Sequence, residues 1–204
     1  MTRALVLVDL QYDFMPGGAL AVAHGDETVA VARGLISKFP TVVATQDWHP
    51  PDHSSFAVNH PGTQPYQVIE LNGLSQVMWP AHCVQGTRGA ELHEDLDLDR
   101  VTHVFAKGTD PAIDSYSGFF DNGHRKATGM GEWLRERGVT ELFVLGLATD
   151  YCVKFTALDG RGLGFDVTLI EDGCRGVELA AGDSAKAIAA MREAGVAVVS
   201  SSAV

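Results

Sequence analysis

Basic residues are scarce in this 204-residue chain: 15 lysines and arginines stand against 26 aspartates and glutamates, a formal net charge of −11 at pH 7. A nucleic-acid or anionic-membrane surface requires a basic footprint on its partner, so this balance argues against both. Cysteine is scarce too. Three cysteines, an odd number without a pairing pattern, make no disulfide framework and fit a reducing compartment. No apolar stretch approaches the ~20 residues of a membrane span, and no basic segment with a long apolar run opens the sequence. A cytoplasmic protein is therefore expected. Internal repeats, low-complexity tracts and linkers are also missing. The phosphate-binding pattern Gly-x-x-x-x-Gly-Lys-Ser/Thr does not occur; Gly160, Gly162 and Gly164 lack dinucleotide spacing and precede a strand, not a helix.

What is present is a globular composition, 46% hydrophobic and 20% charged, in a chain long enough for one domain with ample core. Short apolar runs read as buried strands over residues 3–8, 41–45, 101–106, 142–145, 166–170 and 196–199. Between them, helical spacing predicts helices over residues 26–39, 131–137, 150–159 and 183–194, with Asp26 as an N-cap. Strand and helix alternate throughout. That order predicts an α/β fold: a single-domain, open, mostly parallel sheet with helices on both faces. A Pro- and Gly-rich region from residue 50 to about 89 has no clear period, and loops of that length are usually functional or hold short elements of their own.

In open α/β sheets, ligands sit beyond the carboxyl ends of the strands. Four predicted strands lead there to reactive groups: Asp9, Asp47-x-His49, Lys107 and Cys152. Any one alone reads as a solvated strand end; their convergence on one rim is harder to explain by solvation. Gly146 ends the apolar run before Cys152, and Ala148, Thr149 and Asp150 suit a helix start. Cys152 then falls in a first helical turn, where free N–H groups and the dipole lower a thiol pKa and can hold an oxyanion. A thiol near its ordinary pKa of ~8.5 still requires a base or a cation. Asp9 is placed to take the proton and Lys107 to stabilise the thiolate and keep Asp9 ionised. Asp47 and His49, two apart after a strand, can share a divalent metal with His82. One carboxylate with two histidines leaves positions open for water or substrate, and His53 is a candidate fourth ligand. His24, His60, His93, His103 and His124 read as inert loop histidines, Cys83 and Cys174 as structural.

Val8-Asp9-Leu10-Gln11-x-Asp13-Phe14, Gln46-Asp47-Trp48-His49-Pro50, Trp79-Pro80-x-His82-Cys83, Lys107-Gly108 and Gly146-x-Ala148-Thr149-Asp150-x-Cys152-Val153 occur in that order. Together they resemble the motifs of the nicotinamidase/pyrazinamidase family, the metal-containing branch of the isochorismatase-like cysteine hydrolases. Asp172-Gly-Cys-Arg-Gly176 also fits that superfamily. The resemblance implies a catalytic triad of Asp9, Lys107 and Cys152. It also implies a cis peptide between Leu147 and Ala148, with the N–H groups of Ala148 and Cys152 forming the oxyanion hole. By the same resemblance, Asp47, His49 and His82 hold one zinc, iron or manganese ion in a metal-binding region of about residues 47–89. Phe14 and Trp79 would sandwich the pyridine ring of nicotinamide, with Tyr116 and Leu147 completing the pocket. The implied activity is hydrolysis of nicotinamide to nicotinate and ammonia in NAD salvage, and of pyrazinamide to pyrazinoate, by a monomer or homodimer. Two other readings stand beside it: a related hydrolase acting on another small amide or an isochorismate-like ether, and a non-catalytic metal-binding or scaffold module.

Overall fold

The computed structural model describes residues 2–204. Among these residues, six strands form one sheet in the order β5-β2-β1-β6-β7-β8: His103–Lys107 (β5), Thr41–Asp47 (β2), Thr2–Val8 (β1), Val139–Leu147 (β6), Asp166–Arg175 (β7) and Ala197–Val199 (β8). Every pairing in it is parallel. Ala4 to Val8 have no solvent exposure, as a strand covered on both faces demands, and their aliphatic run supplies nothing polar to desolvate. The chain steps one way from β1 to β2 and β5, and the other way from β6 to β7 and β8. Right-handed crossovers therefore put helix α1 (Asp26–Ile36) on one face of the sheet. They put α2 (Met130–Glu136), α3 (Lys154–Gly162) and α4 (Asp183–Glu193) on the other. The reversal of strand order lies between β1 and β6, the position where such sheets open a crevice at their carboxyl ends.

The expected α/β architecture holds, with local differences that have physical causes. Gly146 does not end its strand. It lies inside β6 at φ 133, and a Cβ there would sit 2.1 Å from the Val8 carbonyl oxygen, so glycine serves a close backbone approach. β7 continues past Ile170 to Arg175, with a register irregularity opposite Val144 and Gly146 that lets polar Asp172 and Gly173 stay in the strand. The helix expected from residue 150 begins with a π turn, Thr149–Val153, before α3. Asp26 is not the N-cap of α1. Gly25 holds that position, and Asp26 and Glu27 occupy the first turn, where their charge meets the positive dipole end. The irregular region after residue 50 carries a small antiparallel hairpin, Val68–Leu71 (β3) with Leu74–Val77 (β4).

Candidate active site

β2 and β5 pair in a register that sets Asp47 opposite Lys107, while Asp9 follows β1 directly and Cys152 lies in the π turn after β6. All four side chains are buried and meet at Lys107. Its Nζ lies 2.9 Å from Asp9 Oδ2, 2.5 Å from Asp47 Oδ1 and 3.4 Å from Cys152 Sγ, and it donates to the Ser115 carbonyl at 2.9 Å. An ammonium has three N–H groups for these four neighbours. The two carboxylates and the carbonyl are the stronger acceptors, so the uncharged thiol ranks last until it loses its proton.

The charge balance follows from burial set against these contacts. At Asp47 burial pushes the pKa up, but Lys107 and His49 outweigh it and the carboxyl lies well below the usual range. At Asp9 burial wins over Lys107, with Asp47 adding to it, and the pKa rises to about 6. Lys107 stays an ammonium because Asp47 and Asp9 more than offset its desolvation. Burial drives the Cys152 thiol well above its ordinary value despite Lys107. This corrects the expectation of a thiol acidified by a helix start: a buried sulfur beside two carboxylates keeps its proton until a base removes it. Asp9 is positioned by a residue the sequence reading did not single out. Thr45 Oγ1 donates to Asp9 Oδ1 at 2.6 Å and accepts from the Asp9 N–H at 3.2 Å. The signal was the period of two on β2, which puts Thr45 on the same side as Asp47.

Asp47, His49 and His82 form one buried group whose ligand atoms lie within 4.8 Å of one another. His49 Nδ1 faces the Gly108 carbonyl at 2.9 Å and His82 Nδ1 the Pro80 carbonyl at 2.8 Å, which leaves each Nε2 toward Asp47, at 3.6 and 4.0 Å. Burial lowers the His82 pKa to about 4, so that ring is neutral, as a metal ligand must be. At His49 burial also lowers the pKa, but Asp47 outweighs it. The structure does not bring His53 into this group. It gathers His53 with His49 and with Asp114, a buried carboxylate that nothing in the sequence had marked. Asp9, Asp47 and Asp114 are three buried carboxylates against the one ammonium of Lys107, a formal deficit that a dication neutralises. The donor set and the charge thus fit a divalent ion. His24, His60, His93, His103 and His124 join no such group among the described residues.

Above Cys152 opens a small, largely apolar cavity lined by Phe14, Trp79, Tyr116 and Ala148 and by the edges of Asp47, His82 and Asp114. Trp79 Nε1 donates to Tyr116 Oη at 3.2 Å, and Tyr151 meets the Trp79 ring edge-on at 4.9 Å, so the aromatic wall is braced. Tyr151, Leu20 and Val177 also line the cavity and were not foreseen; only Tyr151, beside Cys152 in the motif, carried a local clue. Leu147 does not line it. Its side chain is fully buried on the side of Gly25, because its place in β6 turns it away from the cavity. The peptide between Leu147 and Ala148 is cis, as expected. A wider groove along the open edge of β5, lined by His103, Lys126 and Thr128, includes neither Cys152 nor the His49 and His82 rings.

A parallel α/β sheet whose rim joins a thiol, a carboxylate and an ammonium beside a metal-capable group is a candidate hydrolase site with a cysteine in reach of a base and a cation. Residues 3–203 match the family described as the Isochorismatase domain. The nicotinamidase of Escherichia coli (strain K12) is 54% identical over 197 residues, covering 95% of this chain and 92% of that protein. Among solved structures, the Acinetobacter baumanii nicotinamidase pyrazinamidase matches with a TM-score of 0.96 and 46% identity, over 98% of this chain and 97% of that one. The pyrazinamidase of Pyrococcus horikoshii, solved in complex with zinc, matches with a TM-score of 0.80 and 37% identity over 98% and 99%. The chain belongs to the isochorismatase family of hydrolases, in its nicotinamidase branch, as the ordered motifs implied.

Proposed function

We propose that this protein hydrolyses nicotinamide to nicotinate and ammonia through a cysteine thioester, and pyrazinamide to pyrazinoate as a second reaction. One observation carries the reading: a single buried ammonium touches Asp9, Asp47 and Cys152 at the floor of an aromatic cavity. The names of its relatives support the substrate class.

The buried thiol enters the reaction protonated, and Asp9, ionised above pH about 6, removes the Sγ proton as Sγ attacks the carboxamide carbon. Lys107, 3.4 Å from Sγ, favours the thiolate by about 5 kcal/mol at an effective dielectric of about 20. The carbonyl oxygen, now an oxyanion, is received by the N–H groups of Ala148 and Cys152, each such donor worth about 2.7–4 kcal/mol. The C–N bond breaks, Asp9 returns the proton to the departing ammonia, and a thioester remains. Water, deprotonated by Asp9, then cleaves the C–S bond and regenerates the thiol. Phe14 and Trp79 flank the ring, with Tyr116 bracing Trp79. Asp47, His49 and His82, in a region of about residues 47–89, would hold one zinc, iron or manganese ion, which when bound supplies a Lewis-acid anchor for the ring nitrogen.

The free thiols Cys83, Cys152 and Cys174 suit work in the reducing cytoplasm, and no helix among the described residues is long and apolar enough to cross a membrane. The test is ammonia release from nicotinamide by the parent protein and by Cys152→Ala, each with and without a chelator. The parent should turn over, the variant should not, and the chelator should depress the parent. A variant that releases ammonia at the parent rate refutes the mechanism.

A further inference from the structure

The reaction proposed above turns a neutral amide into an anion. The new carboxylate forms in a cavity edged by Asp47 and Asp114, with Asp9 beside Lys107 at its floor, and like charges repel it there. Lys107 is already engaged by Asp9, Asp47 and the Ser115 carbonyl. A cation just outside the cavity would draw the product out. A second groove supplies one. It shares the Tyr116 and Tyr151 walls of the catalytic cavity and continues past Phe155 to α4.

Lys154 lines this groove at the start of α3 and is half-buried. Its Nζ lies 4.6 Å from the centre of the Phe155 ring, and it joins no ion pair among the described residues. The other charges of the groove are engaged. Asp150 accepts from the N–H groups of Val177 and Glu178. Asp183 accepts from the Ala180 N–H at 2.9 Å and pairs with Lys186 at 3.1 Å. Burial lowers the Lys154 pKa more than Asp150 and Asp183 raise it, so neither carboxylate offsets its desolvation. Three rings stand with this lysine: Tyr116 lies 5.4 Å from Tyr151 and 5.5 Å from Phe155, centre to centre. Aromatic walls with one free cation suit a planar ring that carries a single carboxylate.

We propose that this groove is a holding site for the aromatic carboxylate product, Lys154 taking the carboxylate once it has passed Tyr116 and Tyr151. The assignment rests on the amide hydrolysis proposed above. In the zinc-loaded Cys152→Ala protein, saturating nicotinamide fills the cavity without turning over, so added nicotinate reports the groove. Titration calorimetry should find one nicotinate bound per chain under these conditions. Benzoate, which has no ring nitrogen for an ion, should bind alike, and uncharged benzamide should not. Adding Lys154→Met should weaken nicotinate binding about 3- to 10-fold, as expected for a half-exposed ion pair, while Lys154→Arg retains it. With Cys152 restored, Lys154→Met should keep kcat/KM for uncharged nicotinamide within about twofold of the parent's, since the lysine meets only the anion. No nicotinate binding beside nicotinamide, or binding as tight in Lys154→Met as with Lys154, overturns the assignment. An equal fall of kcat/KM and nicotinate affinity in Lys154→Met also overturns it, because the lysine would then serve the fold of the rim. In each case a parent that still releases ammonia from nicotinamide leaves the hydrolase reading intact; a parent that releases none overturns both.

Discussion

Thr45 offers a controlled perturbation of the proposed base. Its hydroxyl is fully buried, donates to Asp9 Oδ1 at 2.6 Å and accepts from the Asp9 N–H, so it holds the carboxylate and the left-handed backbone (φ 48) that presents it. Thr45→Val keeps the shape and removes the hydroxyl. A hydrogen bond to a charged group contributes about 1.5–3 kcal/mol. At about 1.36 kcal/mol per pKa unit, losing it raises Asp9 by about 1–2 units. The starting value of about 6 then becomes about 7–8. Because the base acts deprotonated, activity rises with pH through this pKa, and the acidic limb of the profile moves upward in the variant. At pH 7 the ionised fraction falls from about nine-tenths to between about a half and a tenth, so kcat/KM drops about 2- to 10-fold and recovers near pH 9. Thr45→Ser, which keeps the hydroxyl, should retain the parent profile. The assay is ammonia release from nicotinamide between pH 5 and 9, with unfolding in urea as the fold control. An acidic limb unmoved in Thr45→Val, or moved equally in Thr45→Ser, refutes the assignment of Thr45.

Two further changes probe how the rim is held. In Gly108→Ala a Cβ at φ 63 would sit 2.3 Å from His49 Cε1 and 2.5 Å from Nδ1. The expected cost is about 1–3 kcal/mol in urea unfolding, with weaker zinc binding in chelator competition; parent-like zinc affinity counts against His49 as a ligand. Asp150 is buried and accepts from the N–H groups of Val177 and Glu178 at 2.9 and 2.8 Å, tying that loop to the turn that carries Cys152. Asp150→Ala should lose about 3 kcal/mol or more of stability, since two charge-assisted hydrogen bonds disappear and buried donors remain. A denaturation midpoint equal to the parent's rejects that tie.

Much of the site was legible because the signals were local. Aliphatic runs such as Ala4 to Val8 mark doubly covered strands, and Asp9, Asp47 and Lys107 stand at or just after their ends. Ordered motifs from Val8 to Val153 then pointed to the family. Where the reading failed, the cause was a contact between distant segments. Gly146 looked like a strand end because its reason for being glycine is the Val8 carbonyl, and Leu147 looked like a pocket residue because its neighbours Ala148 and Cys152 are. Asp114 and Val177 lie in irregular stretches where no period marks a side chain's direction.

The sequence by itself determined which residue types would stand at the ends of which strands, since run length, spacing and order are properties of neighbours in the chain. Tertiary structure alone decided their state: a thiol that keeps its proton, an aspartate whose pKa is raised to about 6, and two imidazoles that turn Nδ1 to backbone carbonyls and Nε2 toward Asp47. Protonation and tautomer answer to desolvation and to the donor or acceptor that happens to face each atom. At this rim those partners come from Thr45, Pro80, Lys107 and Gly108, which only folding brings beside the groups they control.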